Sequence, residues 1–247
     1  MRPVLRRGAP LNTDFKDYRD AFVPLLKRIG IGEFNNLQIA QYCSYCERVI
    51  PTNLAIEHIK HKDANPALMN RWSNFLLGCV NCNSTKGQKI VDFKGLYLPD
   101  RDNTFKALTY TPQGRVTPNQ QLSAHQKQLA QNTIDLVGLD VPIQRSIDGV
   151  AIDRRSQRLN AYLLALDTLE DYENDILNPA HQKLVVKSML TTGFFSIWMA
   201  VFSDHPHIMS LFISAMKGTS ESGCFDANAQ TISPHPNQDQ LDDGGKI

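Results

Sequence analysis

Apolar and polar positions alternate in "LAIEHIKH", residues 54–61, where Leu54, Ile56 and Ile59 stand against Glu57, His58 and Lys60. A period of two predicts a short strand or hairpin arm. The turn-like "KHKDANP" follows it, and "ALMNRWSNFLLGC" leads on to Cys79. Away from this stretch the pattern is mostly helical. Residues 11–30, "LNTDFKDYRDAFVPLLKRIG", predict an amphipathic helix broken near Pro24. "QLSAHQKQLAQNTIDLV" predicts a helix ending at Gly138, and "IDRRSQRLNAYLLALDTLEDYEND" one with an apolar stripe through Leu159, Tyr162, Leu163, Leu166 and Leu169. "NPAHQKLVVKSML" and "GFFSIWMAVF" read as one long helix through Gly193, followed by "HPHIMSLFISAMKG". "FKALTYTPQGRVTPN" reads as a hairpin with Gly114 in its turn. The aromatic and Met-rich stretch from Phe194 to Met216 is expected to be core, with a partner-docking face as the alternative.

These elements give an α+β fold with a mainly α-helical C-terminal region. The expected division is a helical segment over 1–40, a core with its following hairpin over 41–117, a helical domain over 118–225 and a disordered tail over 226–247. No internal repeat is visible.

Composition narrows the function classes. The 247 residues carry a net charge of +1, so any nucleic-acid contact has to use a local patch and not bulk charge. The most apolar run, "GFFSIWMAVF", is far shorter than the roughly 20 residues of a spanning helix. No long apolar segment follows the basic "MRPVLRRGAP", which argues against a secretory signal and for a cytoplasmic protein. There, cysteine clusters are metal sites before they are disulfides.

Four of the five cysteines form two Cys-x-x-Cys turns, Cys43–Cys46 and Cys79–Cys82, with 32 residues between them. Two such turns can close a tetrahedron around structural Zn²⁺. A rival set, Cys43, Cys46, His58 and His61, reads as a two-cysteine, two-histidine finger with gaps just short of the usual spacing.

The polar residues around these turns resemble the HNH nucleases of the ββα-metal fold. That family's pattern is an acid and a histidine, then an asparagine, then a histidine or asparagine just after a Cys-x-x-Cys. Glu57-His58, Asn74 and Asn83 in "CVNCNSTKG" match it, Asn74 standing 16 residues after His58 and Asn83 nine after that. Glu57 replaces the commoner aspartate and Asn83 the histidine, an HNN variant that keeps an oxygen donor at both positions. The resemblance covers roughly residues 41–90. It implies phosphodiester hydrolysis with His58 as general base, Glu57 and Asn83 as ligands of a catalytic Mg²⁺ or Mn²⁺, and Asn74 fixing the loop or orienting the His58 ring.

"NSTKGQK" is expected to open a helix capped by Asn83 or Ser84, placing Lys86 and Lys89 where a helix N-terminus meets phosphate. Arg71 and Lys60 complete the candidate nucleic-acid contacts. Arg2, Arg6 and Arg7 are expected to form a flexible basic arm. Residues 41–100 hold seven basic and five acidic side chains, a surplus too small to argue DNA binding on charge alone.

The wider chain also resembles the HNH subunits of bacterial anti-phage systems of the Septu and retron-associated type, through "CNSTKG" followed by "LYLPDRDNT" and a helical region. That resemblance implies DNA cleavage under an ABC-type ATPase partner. A stand-alone restriction or mobile-element endonuclease keeps the chemistry and changes the biology. A non-catalytic, zinc-stabilised nucleic-acid-binding module is the non-enzymatic alternative.

Overall fold

The computed structural model describes residues 1–10, 14–141 and 154–247. Residues 11–13 of the expected N-terminal helix, and Ile152 and Asp153 of the later helical stretch, lie outside the described residues.

The fold is α+β, as the sequence predicts. Among the described residues, three antiparallel hairpins carry the strands. They are β1 (Ile31–Phe34) with β2 (Leu37–Gln41), β3 (Ala55–His58) with β4 (Phe75–Gly78), and β5 (Leu108–Tyr110) with β6 (Val116–Pro118). The helices are α1 (Phe22–Leu25), α2 (Val80–Lys86), α3 (Thr104–Ala107), α4 (Ala124–Val137), α5 (Arg154–Asn174), α6 (Pro179–Thr192), α7 (Phe195–Val201) and α8 (Pro206–Ala215). No described helix is long and apolar enough to cross a membrane.

Several signals act locally as expected. Gly114 lies in the β5–β6 turn with φ 71°. Helix α4 opens on a capping box: Ser123 Oγ accepts from the Gln126 amide, and Gln126 Oε1 accepts from the Ser123 amide. It closes on Gly138, which is left-handed at φ 62°. The N-terminal region is only partly the helical segment expected over 1–40. Short helical turns run from Tyr18 to Gly30, with Pro24 accommodated inside α1. Residues 31–41 then form the β1–β2 hairpin, because Asn35 and Asn36 both adopt positive φ and turn the chain.

The break between α6 and α7 also corrects the expectation of one long helix. Gly193 has φ 78°, and a Cβ there would lie 2.8 Å from the Glu47 carbonyl oxygen. The Phe194 amide donates to that same oxygen at 2.9 Å. The chain bends here to seat the first cysteine turn. The α5 stripe is likewise displaced. Its buried face runs through Arg154, Arg158, Ala161, Ala165 and Tyr172, while Leu163 and Leu166 are exposed. Alanines let α5 approach α7 closely, and that packing outweighs the larger leucines.

Two apolar clusters result. One surrounds β3, β4 and α2 with α4, β5, β6 and the N-terminal segment. The other joins α6, α7 and α8 and includes Phe195, Trp198, Phe202 and Phe212, so the stretch from Phe194 to Met216 is core.

Both chain ends depart from their expected flexibility. Arg2 and Arg6 are buried. Arg2 donates to the Thr219 hydroxyl and the Lys217 carbonyl. Arg6 donates to the carbonyls of Trp72, Ser73 and Phe75 and pairs with Asp100 at 2.8 Å. The tail from Asp226 packs on "PDRDNT". Asn103 donates to the carbonyls of Cys224 and Ile232, Asp102 pairs with Lys246 at 2.9 Å, and Ile247 is buried. Satisfied polar groups order this tail where its low hydrophobicity predicted disorder.

Candidate active site and metal centre

Strands β3 and β4 followed by α2 make a ββα unit, with residues 59–74 as the loop between the strands. The two cysteine turns meet beside it. The sulfurs of Cys43, Cys46, Cys79 and Cys82 all lie within 4.8 Å of one another, and all four residues are buried. A tetrahedral zinc–thiolate site, with Zn–S near ~2.3 Å, requires sulfurs about 3.8 Å apart. The Cys46 and Cys79 sulfurs are 3.7 Å apart. Burial pushes the Cys43 thiol up, whereas hydrogen bonds from neighbouring thiols hold Cys46 down to about 7. Four thiols crowded in this way suit a shared dication. The rival finger set does not assemble, because the ring nitrogen of His58 meets the Met69 carbonyl and Cys79 and Cys82 complete the cluster.

Glu57 and His58 are neighbours on β3, and neighbours on an ideal strand face opposite ways. The conflict is resolved by position: β3 ends at His58, opposite Phe75. Both residues therefore line one cavity of about 490 Å³, together with Asn83 and Lys86 from α2.

The His58 ring is tightly held. Its Nε2 lies 2.8 Å from the Met69 carbonyl oxygen. A carbonyl only accepts, so Nε2 carries the proton and Nδ1 keeps its lone pair. Tyr18 and Phe75 meet the ring edge-on, with centroids at 4.8 and 5.2 Å. Burial lowers the His58 pKa against the pull of the Met69 carbonyl, and Lys62, Lys86 and His61 lower it further. The imidazole is thus neutral at physiological pH.

Asn74 fixes the loop and does not touch the ring. Its Oδ1 accepts from the Lys60 amide at 2.8 Å, and its Nδ2 donates to the carbonyls of Lys60 and Leu68 at 2.9 and 3.2 Å. Leu68 precedes Met69, whose carbonyl orients His58. Arg6 holds the carbonyls on both sides of Asn74 from behind.

Glu57 is buried, and its Oε1 lies 2.7 Å from the Lys86 ammonium. Burial raises its pKa, and Lys86 opposes that. Oε1 accepts no well-directed hydrogen bond. The carboxylate lies against Gly78, where a Cβ would come within 3.0 Å of Glu57 Cβ. The Glu57 carboxylate and the exposed Asn83 amide on one cavity are hard oxygen donors that fit Mg²⁺ or Mn²⁺ better than zinc.

The helix-terminus placement of the basic residues needs correction. Cys79 is the N-cap of α2, so Asn83 lies inside the helix and Lys86 in its last turn. Lys86 is buried against Glu57. Lys89 donates to the carbonyls of Asp135 and Leu136 at the C-terminal end of α4. The Lys60 ammonium sits 4.3 Å from the centre of the Phe93 ring, and Arg71 faces Asp14 at 3.5 Å. Lys60 and Lys89 share a smaller cavity of about 240 Å³ with His61, which also lines the main one.

The pattern of spacings missed Tyr18, Arg19 and Phe22, which form the wall opposite β3, and Lys62. Lys62 and Arg19 both approach the Tyr18 ring, at 5.0 and 5.6 Å from its centre. Only the aromatic and basic character of "DYRDAF" hints at this wall, some 40 residues from His58.

None of the curated proteins compared with the chain matches it. A family model does: residues 43–89, from the first cysteine of the cluster to the lysine that meets the end of α4, match the model described as HNH endonuclease.

Proposed function

We propose that the protein is a divalent-metal-dependent endonuclease hydrolysing phosphodiester bonds in DNA. One observation carries the reading: Glu57, His58 and Asn83 line a single open cavity, with the Met69 carbonyl fixing the tautomer that leaves His58 Nδ1 as a base. Nδ1 takes a proton from the attacking water. Glu57 and Asn83 would hold the divalent ion, which would supply neutralisation of charge on the phosphate and the leaving oxygen. Asn74 keeps the Met69 carbonyl in place by pinning the loop that bears it. The four thiolates hold a structural zinc that anchors α2 and with it Asn83. Tyr18, Arg19 and Lys62 offer a ring and two cations to the strand entering the cavity.

The anti-phage reading with an ABC-type ATPase partner rests partly on "PDRDNT". In the fold that segment is internal, tying Arg6 to the C-terminal tail. It is therefore not a surface that a partner reads. Pull-down from the native host, with an ATPase in the complex, would support that partner.

The test is cleavage of plasmid DNA, and of a matched RNA, with Mg²⁺ or Mn²⁺ and with EDTA. Wild type should nick DNA only with a divalent ion. His58→Ala should lose about 10²–10⁴-fold in rate with zinc content and melting unchanged. Undiminished cleavage by that variant sinks the reading. Gel retardation without nicking by wild type favours the non-catalytic module.

A further inference from the structure

A carboxylate that serves as a metal ligand should be accessible to the metal, yet Glu57 is paired with a lysine. The side chains of Lys86 and Glu57 are 1% and 2% exposed. Lysine is rarely buried so fully without a partner, and here each charge is compensated by the other.

We propose that Lys86 is the resident cation of this site: it balances Glu57 until a divalent ion arrives, and then transfers to a phosphate of the nucleic acid. The inference rests on the reading of Glu57 as a ligand of that ion. Geometry sets the competition. A Mg²⁺ or Mn²⁺ sits roughly 2.0–2.2 Å from a carboxylate oxygen. The Lys86 ammonium is 2.7 Å from Oε1. Both cations on one carboxylate would lie within about 5 Å of each other in a poorly hydrated wall, where repulsion is strong. The Glu57 stem passes close over Gly78, where an added Cβ would lie 3.0 Å from Glu57 Cβ, so the site is closely packed on that side.

The cavity is open to Lys86. That side chain forms part of the cavity wall, and Glu57 is the sole acid among the described residues that line that cavity. Lys62 and Arg19 complete its charged lining, with His61 beside them. A displaced ammonium therefore finds no other carboxylate there, and a phosphodiester is the anion the cavity is built to admit. Ion loading and nucleic-acid binding then favour each other by the same factor. The free protein keeps a weak ion site, and substrate completes it.

The experiment measures Mn²⁺ affinity by calorimetry for the zinc-loaded protein and for Lys86→Met. Without DNA, Lys86→Met should bind Mn²⁺ about tenfold or more tightly than the parent. In a His58→Ala background, which leaves a DNA oligonucleotide uncut, the oligonucleotide should tighten Mn²⁺ binding when Lys86 is present and not when it is methionine. Equal or weaker Mn²⁺ binding by a folded Lys86→Met protein overturns the proposal. If that variant fails to fold, wild type decides. Acetylation of Lys86 relative to the exposed Lys183, read by mass spectrometry, should rise several-fold on adding Mn²⁺, and an unchanged ratio overturns it. A wild type that cuts with Mn²⁺ while Lys86→Met keeps the parental affinity sinks this proposal alone. A wild type that neither cuts nor binds Mn²⁺ removes the nuclease reading as well.

Discussion

The sulfur cluster and the cavity share α2, a helix of seven residues, but are built in opposite ways. The cluster is closed. Its four cysteines come from two Cys-x-x-Cys turns, and all are buried. The cavity is open and draws its walls from separated segments: β3, the loop after it, α2, and the N-terminal turns that bring Tyr18. The closed site is self-sufficient once the ion is present. The open site depends on tertiary packing for almost every contact that orients it.

That contrast orders the expected losses. Cys79→Ser with Cys82→Ser should abolish zinc binding and unfold the ββα unit, since structural zinc can supply on the order of 10 kcal/mol. Metal analysis and circular dichroism would show it. A folded, zinc-bound double variant would revive the two-cysteine, two-histidine set. Asn74→Ala should break the cavity and spare the cluster. Three hydrogen bonds are lost, so a cost of roughly 2–4 kcal/mol in denaturant unfolding is expected, with zinc retained. Cleavage should fall about 10–100-fold as the Met69 carbonyl drifts.

pH acts within the cavity, on its two titrating side chains. Burial depresses His58 below its ordinary 6.5, so it stays an unprotonated base as pH falls past that value. Glu57 is raised above its ordinary 4.5, so its protonation enters from below. The acid limb of cleavage should thus lie above 4.5, where the Glu57 carboxylate takes up its proton. Full activity retained down to pH 4.5 would contradict Glu57 as a charged ligand. Lys62→Ala should give the smallest effect: weaker DNA binding across sequences and a salt slope reduced by about 1, with catalysis of bound substrate little changed.

The sequence made legible whatever covalent adjacency dictates. Two Cys-x-x-Cys turns, Glu57 beside His58, Gly114 and Gly138 each act through a few neighbouring residues, and spacing suffices to place them. Contacts made by packing were not legible. Nothing in "CNSTKG" says that Lys86 turns inward to Glu57 instead of outward to solvent. Nothing in "MRPVLRR" says that Arg6 reaches the backbone around Asn74. In α5 the rule that large apolar residues mark the buried face fails because alanines permit the closer approach. The tail misleads for a related reason: its order comes from hydrogen bonds to buried polar groups, which mean hydropathy does not register.

Glu47 follows directly after Cys46 and is buried. Its carboxylate accepts from the Ser196 hydroxyl at 2.6 Å and the Ser196 amide at 3.1 Å, and its carbonyl accepts from Phe194. A minimal fragment cut to the matched stretch would strip this carboxyl group of those donors and leave it next to Cys46 of the sulfur cluster. Anyone excising residues 43–89 for use on their own should therefore retain the α6–α7 elbow, or replace Glu47 with a neutral residue first.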